Sequence, residues 1–343
     1  MANPVETELL RRLRKPDRRV VETNVFGRAD RSDGARLIDA HFQLSRWCLW
    51  RWEKWAGRNA SPGVLVPYPV ENDHFARPPE EVIRAFRADR LGVPDDALVI
   101  GRIGQRMDGK WHPSLISAFA TLTRHDHRVH LATIGMPEQC RGLLAQQDDE
   151  VRSRAIDIGF IDDDGLLAAA YAAMDVFVHA AVIGESFGYV LAESMLCETP
   201  VVAASRPHKD NSQIEVVGHG VGGLITRSTA GLAGATRTLL DDPDRRRDLG
   251  RRGRASVIER FDAEVVTRTA LRVADHVVAS NNPDTLRRRL ADDNALVSRV
   301  GDGEVRALLE PLVGPGSIRE KALMTAVVTP GLHRLRQKLL GRG

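Results

Sequence analysis

The sequence predicts an α/β protein built on a Rossmann-like, doubly wound parallel sheet, and two features carry that expectation. From Leu98 to Ile225, short apolar runs rich in β-branched residues recur, each followed by a stretch with helical spacing. Such alternation is the pattern of parallel strands joined by crossover helices. The clearest unit is Asp175-Val176-Phe177-Val178-His179, a buried strand, followed by Gly184-Glu185-Ser186-Phe187-Gly188-Tyr189-Val190-Leu191-Ala192-Glu193. Gly184 and Gly188 let the backbone approach a ligand closely, because no Cβ intrudes. Helical spacing from Phe187 to about Cys197 stops at Glu198-Thr199-Pro200, and Pro200-Val201-Val202-Ala203-Ala204 is the next strand.

The 343 residues suffice for two domains with sizeable cores. A net charge of +3 is too small to argue for nucleic acid as a partner. Cys48, Cys140 and Cys197 lack metal-site spacing and fit a reducing compartment without disulfides. There is no signal peptide and no apolar run of about 18 residues. Together these predict a cytoplasmic protein, with the inner face of the membrane as the alternative.

Residues 1–19 are basic, through Arg11, Arg12, Arg14, Lys15, Arg18 and Arg19. They suit a solvated helix, or else a surface for acidic lipids. Residues 19–27 and 37–45 read as strands, and 63–67 as a third. Between them, residues 46–56 form a helix carrying Trp47, Trp50, Trp52 and Trp55, four of the five tryptophans. Trp47 and Trp50 share a core-facing side and Trp52 does not. Packing is one explanation and a belt at a membrane interface the other. Residues 1–76 form a partial domain, since three short strands make a marginal core by themselves. Residues 77–92 form a linker helix that Leu91-Gly92 stops.

The Rossmann-like domain spans residues 93–280. Strands are expected at 98–104, 130–135 and 155–160, and helices at 113–124, through 143, and at 166–174. Asn211–Val217, Gly223–Ile225 and helices from Thr229 to about Ala279 complete it. Residues 281–343 form a helical tail whose Leu308, Leu309, Leu312 and Leu323 are expected to pack on the body.

The organising stretch also suggests a chemistry. Its loop follows a parallel strand, where open α/β sheets bind ligands. The helix start offers unpaired N–H groups and a partial positive charge that suit a phosphate. If one helix holds both glutamates, Glu193 lies about 12 Å beyond Glu185 along its axis. Two such carboxylates could hold hydroxyls of two sugars in one ligand. Arg102 follows a buried strand and Lys110 sits in the next loop, so both could neutralise a diphosphate.

The stretch Asp175–Ala204 resembles the two-glutamate signature of retaining glycosyltransferases of family 4, which have the GT-B architecture. The resemblance implies that Glu185 contacts the transferred sugar and Glu193 the ribose of the nucleotide. It implies backbone contacts to sugar and diphosphate around Ser186, Phe187 and Gly188. It places Arg102 and Lys110, with Arg106 as a substitute for Lys110, on the leaving diphosphate. It sets Asn211, within Asp210–Glu215, near the sugar pocket, with helix capping as the alternative. It puts the nucleobase against the backbone of Ile158–Ile161, including Phe160. The implied reaction uses a nucleotide-diphosphate sugar as substrate, with no metal and no cofactor, and leaves the carbohydrate, lipid or other acceptor open. Pro67–Phe75 resembles the family's interdomain crossover. The family's acceptor domain opens with a glycine-rich loop that is missing before residue 67. A short form, a fragment or completion by a partner chain would each account for that, and a nucleotide-sugar-binding module without catalysis is the alternative function.

Other signals point elsewhere only weakly. Gly218-His219-Gly220-Val221-Gly222-Gly223 mimics a dinucleotide fingerprint but does not follow a domain's first strand, so it reads as a turn and argues little for a dehydrogenase. Asp162-Asp163-Asp164 precedes a helix and suits N-capping better than metal binding. His125 and His127 lack further ligands at zinc spacing. Asn59-Ala60-Ser61 matches a glycosylation acceptor without secretory context.

Overall fold

The computed structural model describes residues 7–15, 17–28, 32–56 and 60–316, with residues 318, 322 and 332. The chain divides into two compact units. One runs to Pro69 and takes up again over Phe261–Glu310, and the other covers Val70–Arg260 and continues from Pro311.

The first unit opens with α1 (Thr7–Leu13), β1 (Val21–Asn24), β2 (Ala40–Gln43), α2 (Arg46–Ala56) and β3 (Gly63–Leu65). The strands make a parallel sheet in the order β1-β2-β3, with Thr23 opposite Phe42 and Phe42 opposite Val64. On α2, Trp47, Trp50 and Trp52 are all buried. Trp50 Nε1 donates to Asp302 Oδ1 at 2.8 Å, and Trp52 packs against His41 with ring centroids 4.1 Å apart and the planes tilted by 42°. Three of the four tryptophans therefore pack inside the unit rather than forming a membrane belt. Trp52 corrects the expected face: the His41 ring on β2 draws it inward.

The second unit begins with α3 (Glu80–Phe86), which a π-helical turn extends over residues 87–91 until Gly92 stops it at φ 61°. Then follow β4 (Leu98–Ile103), α4 (Ser114–His125), β5 (Val129–Ile134), α5 (Glu138–Ala145), α6 (Asp149–Arg152), β6 (Ala155–Asp157) and α7 (Asp164–Ala172). Next come β7 (Val176–His179), β8 (Gly184–Glu185), α8 (Tyr189–Leu196), β9 (Val201–Ala204), β10 (Asp210–Asn211), α9 (Gln213–Val217) and β11 (Gly223–Thr226). Helices α10 (Leu232–Leu240) and α11 (Pro243–Phe261) close the series.

Six of these strands form one parallel sheet in the order β11-β9-β7-β4-β5-β6. The chain builds outward from β4 in one direction through β5 and β6, then returns to β7 on the other side. β4 and β7 thus flank the switch point, where loops diverge and open a crevice. Ile100, Leu131, Val178 and Val202 fill the core between sheet and helices, with Phe119 from α4 and Leu239 from α10. Strand β6 is shorter than its apolar run predicts, because Gly159 turns the backbone at φ 83°.

Arginines of α11 hold this unit's helix ends. Arg246 donates to Leu239 and Leu240 O, Arg254 to Leu196 O, and Arg260 to Glu215 and Val216 O. These carbonyls lie at the C-termini of α10, α8 and α9, where backbone acceptors lack helical partners and the dipole favours a cation.

The last helices correct the sequence division at residue 280. Helices α12 (Ala263–Val278), α13 (Pro283–Asp292) and α14 (Asp302–Leu309) belong with the first unit. Val266, Val273, Val277, Leu286 and Leu290 bury against Ala40, Val64 and Val66. A three-stranded sheet cannot cover its own apolar face, and these helices supply the cover. Leu312 is buried and Leu308 and Leu309 are half-buried, while Leu323 and Asn59 lie outside the described residues. Among the described residues, no helix is long and apolar enough to cross a membrane.

Candidate functional site

Three charged groups singled out in the sequence, Arg102, Lys110 and Glu185, meet in the second unit, at the C-terminal ends of β4 and β7. Arg102 is on β4 and Lys110 ends the single 3-10 turn Asp108–Lys110 that follows. Glu185 comes from β8, which pairs in parallel with β10, Gly184 opposite Asp210 and Glu185 opposite Asn211. Ser212 N also donates to Glu185 O at 2.9 Å. Gly184 is required here: its φ is 74°, and a Cβ would meet Asp210 O at 1.8 Å. Glu185 is therefore held by a long-range strand pairing. That corrects the expected shared helix face, because α8 begins only at Tyr189 and carries Glu193 alone.

The cluster is closely charged. Glu185 is 4% exposed, and Lys110 Nζ lies 3.1 Å from its Oε2 and 3.4 Å from its Oε1. Arg102 is buried between the rings of Trp111 and Phe177, its Cζ 5.2 and 5.7 Å from their centroids. Its guanidinium donates to Ile103 O at 3.0 Å and to Lys110 O at 2.8 Å, so it fixes the loop that presents Lys110. Burial lowers the Arg102 pKa to about 10, which leaves it charged at neutral pH. His179, at the end of β7, lies with Nε2 3.6 Å from Glu185 Oε1. Burial, then Arg102 and Lys110, push its pKa well below the ordinary histidine range.

Glu193 stands on α8 and accepts a 2.7 Å hydrogen bond from the Tyr171 hydroxyl of α7. Burial raises its pKa, and the tyrosine bond opposes that rise. Gly188 starts α8 at φ 95°, and no side chain caps that helix. Phe187 is buried against Tyr189, ring centroids 5.4 Å apart, and Ser186 is half-buried between Glu185 and Phe187. The loop from Glu185 to Gly188 thus leads directly into the start of α8.

Three candidates stand differently. Arg106 is exposed on the loop after β4, and Phe160 is 87% exposed on the loop after β6. Asn211 is fully buried, and its amide is used within the protein. Its Oδ1 accepts from Arg206 N at 2.6 Å and from Gln213 Nε2 at 3.1 Å, and its Nδ2 donates to Ser205 Oγ at 3.2 Å. Asn211 therefore shapes the loop after β9 instead of capping α9. Asp163 Oδ1 accepts from Leu166 N at 2.6 Å and caps α7, as the aspartate run predicts. Gly218 and Gly220 adopt φ 64° and 75° in a turn, not a nucleotide-binding loop. His125 and His127 are exposed, and among the described residues no group of His, Cys, Asp or Glu could hold a metal.

Two residues of the cluster escaped the sequence argument. His179 ends the very strand that marks the site, and a histidine closing an otherwise apolar strand was the available signal. Tyr171 gave none, because its partner Glu193 is 22 positions away.

Residues 94–242 match the family described as Glycosyl transferases group 1. That segment belongs to the group 1 glycosyltransferases. The D-inositol 3-phosphate glycosyltransferase of Kineococcus radiotolerans is 33% identical over 57% of this chain and 48% of its own length. The phosphatidyl-myo-inositol mannosyltransferase of Mycobacterium leprae is 35% identical over 65% of this chain and 56% of its own. A solved Anabaena protein, HepE in complex with UDP, superposes with a TM-score of 0.63 at 22% identity, over 75% of this chain and 72% of that one. The fold is therefore that of the GT-B glycosyltransferases. The chain spans about half the length of the curated relatives it matches. Within the group 1 segment lie both glutamates, Arg102, Lys110, His179 and Tyr171.

Proposed function

We propose that this chain moves a sugar from a nucleotide-diphosphate sugar to an acceptor, with retention of anomeric configuration and without a metal. The observation that carries it is the meeting of Glu185, Lys110 and Arg102 beside the uncapped start of α8. Cations and a helix N-terminus together suit a leaving diphosphate, and a buried carboxylate beside them suits sugar hydroxyls. Lys110 neutralises the diphosphate and Arg102 holds Lys110 in place while adding its own charge. Backbone amides around Ser186, Phe187 and Gly188 face the same group. Glu185 grips the sugar and Glu193, set by Tyr171, grips the ribose. Arg106 and Phe160, both exposed at this edge of the sheet, extend the donor surface. Asn211 supports the sugar pocket through its loop.

The acceptor hydroxyl attacks from the leaving-group face, and the departing phosphate takes its proton. No side-chain nucleophile or base is needed in that scheme. Two relatives are named for inositol-containing acceptors, so we place a polyol or a phosphorylated polyol first among acceptors here. A second role, a nucleotide-sugar-binding subunit completed by a partner chain, draws on the three-stranded sheet of the first unit.

The test is nucleotide release from UDP-, GDP- and ADP-sugars, with water and with inositol phosphates as acceptors. The parent should turn over one donor family in the presence of EDTA, and E185A should not. Product NMR should show the donor's anomeric configuration. Inversion, or loss of turnover with EDTA, would contradict the mechanism, and binding without turnover would favour the second role.

A further inference from the structure

His179 has no part in the roles assigned above, yet it is the most constrained polar group beside Glu185. It is 1% exposed, and neither ring nitrogen has a hydrogen-bond partner among the described residues. A buried imidazole in that state costs free energy that an apolar residue would not. The 3.6 Å between its Nε2 and Glu185 Oε1 exceeds hydrogen-bond length by about half an ångström. The carboxylate leans instead on Lys110, at 3.1 Å. A donor diphosphate brings negative charge of its own and competes for that ammonium. Glu185, only 4% exposed, would then need another donor close at hand.

We propose that His179 is a positioning residue for Glu185: when the donor draws Lys110 away, His179 Nε2–H closes on the carboxylate and fixes the oxygen that meets the sugar hydroxyls. This rests on the donor-site role given above and names a residue that shapes recognition of the sugar. Burial, with the charges of Arg102 and Lys110 adding to it, holds its pKa well below the ordinary histidine range, so the ring is neutral and carries a single proton. Placing that proton on Nε2 gives Glu185 Oε1 a donor and leaves Oε2 for the substrate. No proton is transferred.

The test is calorimetry on the full chain with UDP, GDP and ADP and with UDP-glucose, GDP-mannose and ADP-glucose. The pair that binds the parent is then compared across variants. H179L should bind the nucleoside diphosphate within about twofold of the parent, while the affinity ratio of conjugate to diphosphate falls about tenfold, the size of one charge-assisted hydrogen bond. H179Q keeps an N–H donor and should recover part of that ratio. Because His179 acts through the carboxylate, H179L in an E185Q background should lower the ratio no further. An unchanged ratio in H179L, or equal weakening of diphosphate and conjugate in both H179L and H179Q, would overturn the proposal. If no conjugate binds the parent, the donor-site assignment itself fails and this inference with it.

Discussion

Tyr171, fully buried in α7, donates its hydroxyl to Glu193 Oε2 across 2.7 Å. Burial raises the Glu193 pKa and this bond restrains the rise, so the tyrosine favours the ionised form of a deep carboxylate and orients it. Tyr171→Phe removes the bond without changing shape. Nucleotide affinity at pH 7 should fall about tenfold, the effect of one hydrogen bond to a charged group. The loss should deepen as pH falls, since the freed carboxyl takes up a proton at higher pH than in the parent. Calorimetry at pH 6 and 8 checks both; parental affinity at both pH values would separate Glu193 from the ribose.

Gly184 and Gly92 test strain against collision. Both have positive φ, 74° and 61°, but a Cβ at Gly184 meets Asp210 O at 1.8 Å whereas one at Gly92 meets nothing within 4 Å. Gly92→Ala should cost about 1 kcal/mol, from backbone conformation alone. Gly184→Ala should cost about 2 kcal/mol or more, because β8 must part from β10, and it should abolish transfer by displacing Glu185. Urea titrations measure the difference, and equal costs would show that the β8–β10 pairing bears no weight.

The strand–loop–helix unit around residue 185 was legible because its signals are local. Val176–His179 is an unbroken buried strand, and the glycines mark the loop. The placement of Glu185 was not legible, since it depends on a pairing with Asp210 and Asn211, some 26 residues along. The inward face of Trp52 likewise depends on His41 across the sheet. Alternating periodicity predicted the six-stranded sheet, yet nothing local in Val266, Val273 or Leu290 says that they cover β2 and β3 rather than the sheet they follow. The polar stretch around Asn211 suits either a sugar pocket or a helix cap, and nothing local in it says that its amide ties Ser205, Arg206 and Gln213 together.

Stability should fall on mild acidification. His112 Nδ1 accepts from Ser114 N at 3.1 Å near the start of α4, and burial together with Arg206 lowers its pKa to about 4. His179 is shifted in the same direction. Unfolded histidine titrates near pH 6.5, so between about pH 6.5 and 4 the unfolded chain binds more protons than the folded one. Stability therefore rises with pH across that window and is lost as pH drops through it. Urea midpoints at pH 7.5, 6 and 5 should decline in that order, and less steeply in His112→Asn. A flat profile would show that these rings are protonated in the folded chain.

The three thiols should be inert in the native protein. Cys48, Cys140 and Cys197 are buried thiols, and burial pushes the Cys197 pKa up to about 12. Iodoacetamide at pH 8 should label none until denaturant is added, as mass spectrometry would show. Rapid labelling of one cysteine in the folded chain would contradict its burial.

The most direct measurement of the donor-site account is calorimetric titration of the full chain with UDP, GDP, ADP and their sugar conjugates, repeated with Glu193→Ala. One nucleotide family should bind the parent, and the variant should lose this binding. Binding that persists undiminished in Glu193→Ala, or no binding of any of these ligands by the parent, would contradict it.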